Sequence, residues 1–265
     1  MYKRQPLSRA ETLEVAAIRS IVGAPDILST EPPFRSPHHT ASYTALVGGG
    51  TNPRPGEVTL AHQGVLFMDE FPEFDRRSLD ALRQPLEDKV VTISRVQGTA
   101  VFPADFILVA ALNPYRGKED GTTDFARAMQ ETYRGKISGP ILDRIDIWIE
   151  VPHVAYETLA TTTRNQNETI EARALITAAR SRQTTRLQGR GITTNSALTG
   201  RDIDDTIVLS PDVKNLLTSS AAKLNLSPRS YHRLIKVAQT IADVEGAVTI
   251  NQSHLFEALS YRVKG

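Results

Sequence analysis

The 265-residue chain contains no cysteine, which excludes disulfide staples and thiolate metal sites while merely permitting a reducing compartment. Long apolar runs are missing too. No stretch approaches the roughly 20 residues that a membrane-spanning helix needs. The opening MYKRQPLSRAE has no apolar signal-peptide core, so a cytoplasmic protein without membrane attachment is expected. Net charge is also nearly absent: 31 basic against 30 acidic residues leave +1. Bulk electrostatics therefore gives no argument for nucleic acid, although a local basic patch is compatible with that balance.

What is present is an ordinary globular composition, 23% charged and 40% hydrophobic, in a length that suits one large domain or a core with a small satellite. SRAETLEVAAIRSIVG, from Ser8 to Gly23, has a capping-box pair in Ser8 and Glu11 and apolar positions at helical spacing. A long Pro-, Gly- and Ser-rich loop-like segment follows. GVLFM then reads as a buried strand, and DRRSLDALRQPLE as a helix with Leu79, Leu82 and Leu86 on one face. VVTISRVQGTAVF reads as a hairpin around Gln97-Gly98, and FILVAALNP as a second apolar strand ending at Asn113. DRIDIWIEV alternates Ile145, Ile147, Ile149 and Val151 as a third. Beyond Pro152 the texture is helical, over ETIEARALITAARSRQTTRLQG and around 200–208, 211–225, 228–245 and 251–262. Ser227-Pro228 and Asn251 are helix starts there, and Gly246 a stop. The expected organisation is an α/β core over residues 1–152, with a parallel sheet built on helical crossovers, then a small all-helical domain over 153–265.

The chemistry begins where GVLFM runs into Asp69 and Glu70. An apolar strand ending in Asp-Glu is the Walker B arrangement of nucleotide hydrolases, in which the Asp holds Mg2+ and the Glu polarises the attacking water. A carboxylate pair that caps the next helix is the competing explanation. Asn113 is delivered to the same strand-end edge, where open α/β sheets put their ligands. Arg144, in GPILDRIDI, precedes a strand as an arginine finger would, and Arg229 starts a helix in the small domain. Each has a bland alternative: a turn amide, a salt bridge to Asp143 or Asp146, a surface charge. Their order along the chain favours the nucleotide reading.

Five stretches, PFRSPHHTAS, ALVGGGTNPRPGEVTLAHQGVLFMDEFPEF, LDALRQPLED, SGPILDRIDI and LSPRSYHRLIKVAQTIAD, closely resemble the magnesium-chelatase-like AAA+ ATPases of the ComM/YifB type. The resemblance covers nearly all of the chain from about Pro6. It implies an AAA+ parallel-sheet core, truncated at its N-terminus, followed by a helical lid. It also implies ATP and Mg2+ as cofactors, hydrolysis of ATP, and a homo-oligomeric ring, expected to be a hexamer. Carried over residue by residue, Asp69 and Glu70 are Walker B, with Asp69 on Mg2+. Asn113 is sensor 1, Arg144 the finger that reaches a neighbouring subunit's nucleotide, and Arg229 the sensor 2 contact to an ATP phosphate. ComM-type relatives imply a motor acting on DNA in branch migration during natural transformation. The magnesium chelatase subunit implies a motor for metal insertion instead, and a P-loop-less regulatory or assembly partner is a third reading.

Three departures qualify that picture. No G-x-x-x-x-G-K-[ST] occurs anywhere, and LVGGGTNPRPGE has no Lys-Ser/Thr. The chain thus reads as a fragment that lacks the upstream Walker A segment, with Met1–Gln5 outside the resemblance and the fragment alone inactive. The N-terminal domain of full-length relatives is not seen. Cysteines that many ComM-like proteins carry after the sensor 1 Asn-Pro are replaced by NPYRGKEDGTTDFARAMQETYRGK, so no zinc is expected. His38 and His39 are expected to point opposite ways on an extended segment and to serve loop packing rather than ligation. For DNA, the resemblance suggests that the hairpin with Lys89 and Arg95, and an insert with Arg54, face the ring's pore. Contacts there would be salt-dependent and independent of sequence, against the alternative of an ordinary solvated hairpin.

Overall fold

The structure, a computed structural model, describes residues 5–24, 28–95, 98–112, 137–151 and 167–262. The chain divides into two compact units, Pro6–Arg144 and Ile145–Gly265.

The first unit starts with helix α1, Arg9–Val22. Its capping box is complete: the Ser8 hydroxyl accepts the Glu11 N–H, and the Glu11 carboxylate accepts the Ser8 N–H at 2.7 Å. Gly23, at φ 70°, closes it in the left-handed conformation. The Pro- and Gly-rich segment is more ordered than expected. It holds strand β1 (Phe34–Arg35), helix α2 (Tyr43–Val47), the short strands β2 (Gly48–Gly49) and β3 (Arg54–Pro55), and helix α3 (Glu57–Leu60). Strand β4 (Val65–Met68) follows, then a 3-10 turn at Phe71–Glu73. The expected single helix over 75–87 is broken into α4 (Arg76–Ala81) and α5 (Arg83–Asp88). Pro85 has no N–H to donate to the preceding turn, which accounts for the interruption. Leu79 and Leu82 are buried as the pattern required.

β5 (Val90–Arg95) and β6 (Gly98–Pro103) form the antiparallel hairpin, with Arg95 opposite Gly98; Val96-Gln97 lies outside the described residues. Val91 and Ile93 are buried, whereas Thr92 and Ser94 face water, the alternation of a half-buried strand. β7 (Ile107–Ala110) completes the sheet. Among the described residues the sheet is three-stranded, parallel, in the order β1-β4-β7. Leu66 and Met68 point into the core with Leu46, Val58 and Phe71. The other face is half-open: Phe67 stacks on Phe34 at 6.2 Å, beside exposed Ile107 and Val109. Gly64 sets how closely the strands approach, because a Cβ there would lie 2.0 Å from the Pro33 carbonyl oxygen. A short helix α6 (Gly139–Leu142) ends the unit.

The expected third strand over 145–151 does not form. Among the described residues no strand pairs with it, and Ile149 and Val151 are 73% and 82% exposed. Alternation specifies an apolar face but not the neighbour whose backbone must supply the ladder. Trp148 instead donates its N–H to the Tyr261 carbonyl at 2.9 Å, and the segment groups with the helical unit.

That unit contains α7 (Glu168–Arg186), a 3-10 turn at Asn195–Ala197, α8 (Gly200–Thr206), α9 (Pro211–Lys223), α10 (Pro228–Glu245) and α11 (Gln252–Ser260). The signals at Ser227-Pro228, Gly246 and Asn251 all act where the sequence placed them. Ser227 accepts the Ser230 N–H, Gly246 has φ 84°, and Asn251 accepts the His254 N–H at 3.0 Å. Leu187, Ile203, Leu217, Leu234, Ile235 and Leu255 form its core. Beside that core sits Asp243, fully buried. Arg186 donates to both its carboxylate oxygens at 2.7 Å, and Asn195 and Gln239 donate as well. Arg182 takes the Asp243 backbone carbonyl at 2.7 Å. Removing one partner of such a pair strands the other in a low dielectric. Asp243→Ala should therefore destabilise the helical unit by about 3–5 kcal/mol. Denaturant unfolding followed by fluorescence of Trp148, the single tryptophan, reads that unit directly.

Candidate functional site

The parallel pairing gathers strand ends at one edge. β1 pairs Phe34 with Val65 and Arg35 with Leu66, while β4 continues level with β7 to Met68 and Ala110. Beyond those ends the ladder persists for one more turn. Ala111 donates to the Met68 carbonyl at 2.9 Å, and Phe71 donates to the Ala111 carbonyl at 3.0 Å. Asp69 and Glu70 lie between these two bonds, fixed at the carboxyl end of the central strand. Both are exposed. The desolvation problem that an acid pair poses at the end of a buried strand is thus avoided, because the chain surfaces at Asp69.

The backbone here is special. Glu70 is a non-glycine residue in the left-handed region, φ 51° and ψ 44°, a conformation that costs on the order of 1 kcal/mol or more and clusters at functional sites. Two bonds hold it: its N–H goes to Asp69 Oδ1 at 2.9 Å, and its carbonyl accepts the Glu73 N–H at 2.7 Å. Its carboxylate Oε2 meets His39 Nδ1 at 2.9 Å. The two histidines do not point apart as expected. The chain turns at His38, whose carbonyl accepts the Ala41 N–H at 2.9 Å, and the two rings lie 4.1 Å apart. A turn brings adjacent side chains to one side, where an extended strand would have separated them.

Neighbouring ion pairs fix the edge. Arg35, at the end of β1, donates through Nε and Nη2 to both oxygens of Glu57 at 2.5 and 2.6 Å. The Glu57 hydrogen bond raises the guanidinium pKa further, against the lowering effect of burial. His62 accepts the Asp105 N–H on Nδ1 at 3.0 Å, so its Nε2 carries the proton and donates to Glu14 at 3.1 Å, tying α1 to the sheet. The Gly-rich run is used for backbone approach between β2 and β3. Gly48, at φ 101°, would put a Cβ 2.4 Å from the Arg54 carbonyl oxygen.

The other expected residues have varied surroundings. Asn113, and the 113–136 stretch in which no zinc was expected, lie outside the described residues. Arg144 is largely buried, 11% exposed. It donates to the Pro140 carbonyl at 2.5 Å and to the Glu87 carboxylate, within its own unit. Arg229 is exposed in the first turn of α10, in the other unit. Lys89 lies at the base of the hairpin, 2.9 Å from Asp105, whereas Arg95 ends β5 at the turn and Arg54 sits exposed on β3. Sequence reasoning missed His39, Glu57 and Glu87 as partners, since each pairing links residues far apart in the chain and leaves no local pattern. Among the described residues no cluster of three or more His, Asp or Glu is arranged to hold a metal by itself. The Asp69-Glu70 pair suits a cation that brings its own phosphate and water ligands, as Mg2+ with a nucleotide does.

Comparison with known proteins places this geometry. Residues 4–159 match the family described as magnesium chelatase, subunit ChlI, and residues 166–262 match its C-terminal family. A protein named YifB from Salmonella typhimurium is 42% identical over 97% of this chain and 51% of its own length. Competence protein ComM from Haemophilus influenzae is 43% identical over 95% of this chain and 50% of its own. DNA replication licensing factor Mcm6 from Drosophila melanogaster is 29% identical over 35% of this chain and 11% of its own. The chain spans about half the length of the curated YifB and ComM relatives it matches. With its parallel sheet and helical C-terminal region, the chain belongs to the magnesium-chelatase-like AAA+ family, alongside ComM and YifB.

Proposed function

We propose that the chain supplies the water-activating and magnesium-holding part of an ATPase core that works as a ring motor on DNA. The observation that carries this reading is the exposed Asp69-Glu70 pair at the carboxyl end of the central parallel strand, with Glu70 held in a strained conformation. Asp69 would hold Mg2+ through water or directly. Glu70 would orient the attacking water and take its proton. A bound magnesium-nucleotide would supply the electrophilic phosphate and neutralise the charge that develops on it. Asn113, which follows β7 in sequence, would hold a water or phosphate oxygen, and Arg229 would contact a phosphate. No G-x-x-x-x-G-K-[ST] phosphate cradle occurs in this sequence, so nucleotide affinity of this chain alone should be very weak, and a longer polypeptide would have to supply the cradle.

Arg144 would serve a neighbour's nucleotide, for which it must leave Glu87. DNA as the polymer is supported by the name of the Mcm6 relative, a DNA replication licensing factor, and by Arg54, exposed on β3. The family description of a magnesium chelatase subunit supports a second reading, a motor for metal insertion by a partner. ATPase stimulation separates the two: branched or single-stranded DNA should accelerate turnover and lose its effect at high salt, whereas stimulation only by a chelatase partner reverses the choice.

In the polypeptide extended to its phosphate loop, Glu70→Gln should bind nucleotide normally and lower turnover by about 100-fold or more. Wild-type turnover in that variant removes Glu70 from its role. Arg144→Ala should abolish the rise of specific activity with protein concentration, by about 1000-fold in the assembled state, while thermal unfolding shifts little. A large loss of melting temperature with assembly-dependent turnover retained would make the Arg144–Glu87 pair a strut instead.

A further inference from the structure

We propose that Asp80 is a positioning residue that seats helix α6 through Ser138, so that Arg144, just past the end of that helix, works from a fixed base. The proposal deepens the ATPase reading above and rests on the place of Arg144 in it.

A helix as short as α6 (Gly139–Leu142) does not hold itself in water, since isolated helices below roughly 12 residues are marginal. Its position must come from its contacts. Ile141 is fully buried and fixes the middle. At the start, the Ser138 hydroxyl donates to Asp80 Oδ1 at 2.8 Å. Past the end, Arg144 donates to the Pro140 carbonyl at 2.5 Å and to the Glu87 carboxylate. Ser138 is the N-cap residue, yet its side chain makes no cap bond to the helix. A serine there ordinarily accepts an N–H two or three residues on, whereas this hydroxyl is given to α4. Asp80 is itself held, because Arg83 Nη2 donates to the same Oδ1 at 2.7 Å. Asp80 on α4 and Glu87 on α5 thus secure the two ends of α6.

The two ends cannot do the same work. To serve a neighbour's nucleotide, Arg144 must exchange Glu87 for a phosphate, so the Glu87 contact is not there to hold α6 when the chemistry takes place. The Ser138–Asp80 bond and buried Ile141 are what remain. The hydroxyl is neutral, and a polyphosphate draws it far less than it draws a guanidinium. With the start of α6 fixed, the exchange at Arg144 is a side-chain rotation. With it loose, the helix would drift with its arginine, and a misplacement of about 1 Å at a group that stabilises a transition state costs on the order of 100-fold in rate. Asp80 therefore acts on the reaction through the aim of Arg144, without touching the nucleotide.

The experiment has two arms. In this chain, the Ile141, Leu142 and Asp143 amides close α6 onto Ser138 and Gly139. Their hydrogen exchange should quicken by about five- to tenfold in Ser138→Ala and in Asp80→Ala. Because the Ser138 hydroxyl caps nothing, its removal takes away the Asp80 contact alone. The double variant should exchange no faster than either single one, as partners in one bond do. Unchanged exchange, or fully additive effects, overturns the seat. In the polypeptide extended to its phosphate loop, Asp80→Ala and Ser138→Ala should lower kcat of the assembled protein by about five- to tenfold at unchanged KM. Asp80→Asn, whose amide oxygen still accepts the hydroxyl, should recover most of that loss. In an Arg144→Ala background, Asp80→Ala should cost nothing further, whereas a residue needed only for structure would add its loss in full. Undiminished kcat in a folded Asp80→Ala protein, or an additive loss over Arg144→Ala, overturns the proposal. Arg144→Ala by itself tests the ATPase reading: wild-type turnover there ends the arginine's role, while the exchange rates report the seat independently.

Discussion

Parallel pairing of β1, β4 and β7 is the constraint on which the rest of the molecule's chemistry depends. Strands that run in one direction must end on one edge, and connections that leave that edge bring their first residues together. Here the register sets Val65 between Phe34 and Ile107, so the chain leaves β4 at Asp69 and β1 a few residues before His39. Side chains alternate with period two. A slip of one residue would expose Leu66 and Met68 and turn the acid pair toward the other face. Gly64 guards against that slip, since its Cα lies against the Pro33 carbonyl and only a residue without Cβ fits.

The same constraint explains what could be read from the sequence. Helix starts and stops at Ser8, Gly23, Ser227, Gly246 and Asn251 were legible because a cap is a contact between residues three or four apart. The hairpin and the strand before Asp69 were legible for a similar reason: alternation and apolar runs are local. β1 was not. Two residues, Phe34 and Arg35, between prolines carry no periodicity, and they become a strand only because β4 supplies the ladder. The opposite error occurred at 145–151, where a good alternation met no partner strand. The acid pair itself was found from its motif, while its partner His39 was not, since loop geometry alone decides where that ring points.

Two carboxylates of this chain show how burial separates architecture from chemistry. Asp243 is fully buried and receives donors from Arg186, Asn195 and Gln239, which joins α7 to α10 through the 3-10 turn. Every acceptor site is committed, and a group so satisfied cannot exchange partners without large cost. Glu70 is half-exposed and meets a histidine that is itself partly exposed. It can change partners cheaply. A residue meant to handle a proton or a transient ligand has to sit in the second category, and strain placed in its backbone directs the side chain without consuming its lone pairs.

Arg144 falls between these extremes, and its place bears on how assembly would govern turnover. Its guanidinium is largely buried, holds the Pro140 carbonyl and Glu87, and leaves Nε without a partner among the described residues. Taking it from that setting requires a competing anion whose attraction exceeds that of one carboxylate. A phosphate chain with several charges in a water-poor cleft meets that requirement, whereas a single surface carboxylate does not. If Arg144 serves a neighbour's nucleotide as proposed, the pair with Glu87 would act as a threshold, keeping the arginine in place in an isolated subunit until a neighbour's bound triphosphate competed for it. Coupling of hydrolysis to ring formation would then arise from ordinary competition between two anions for one cation, with no separate signalling element.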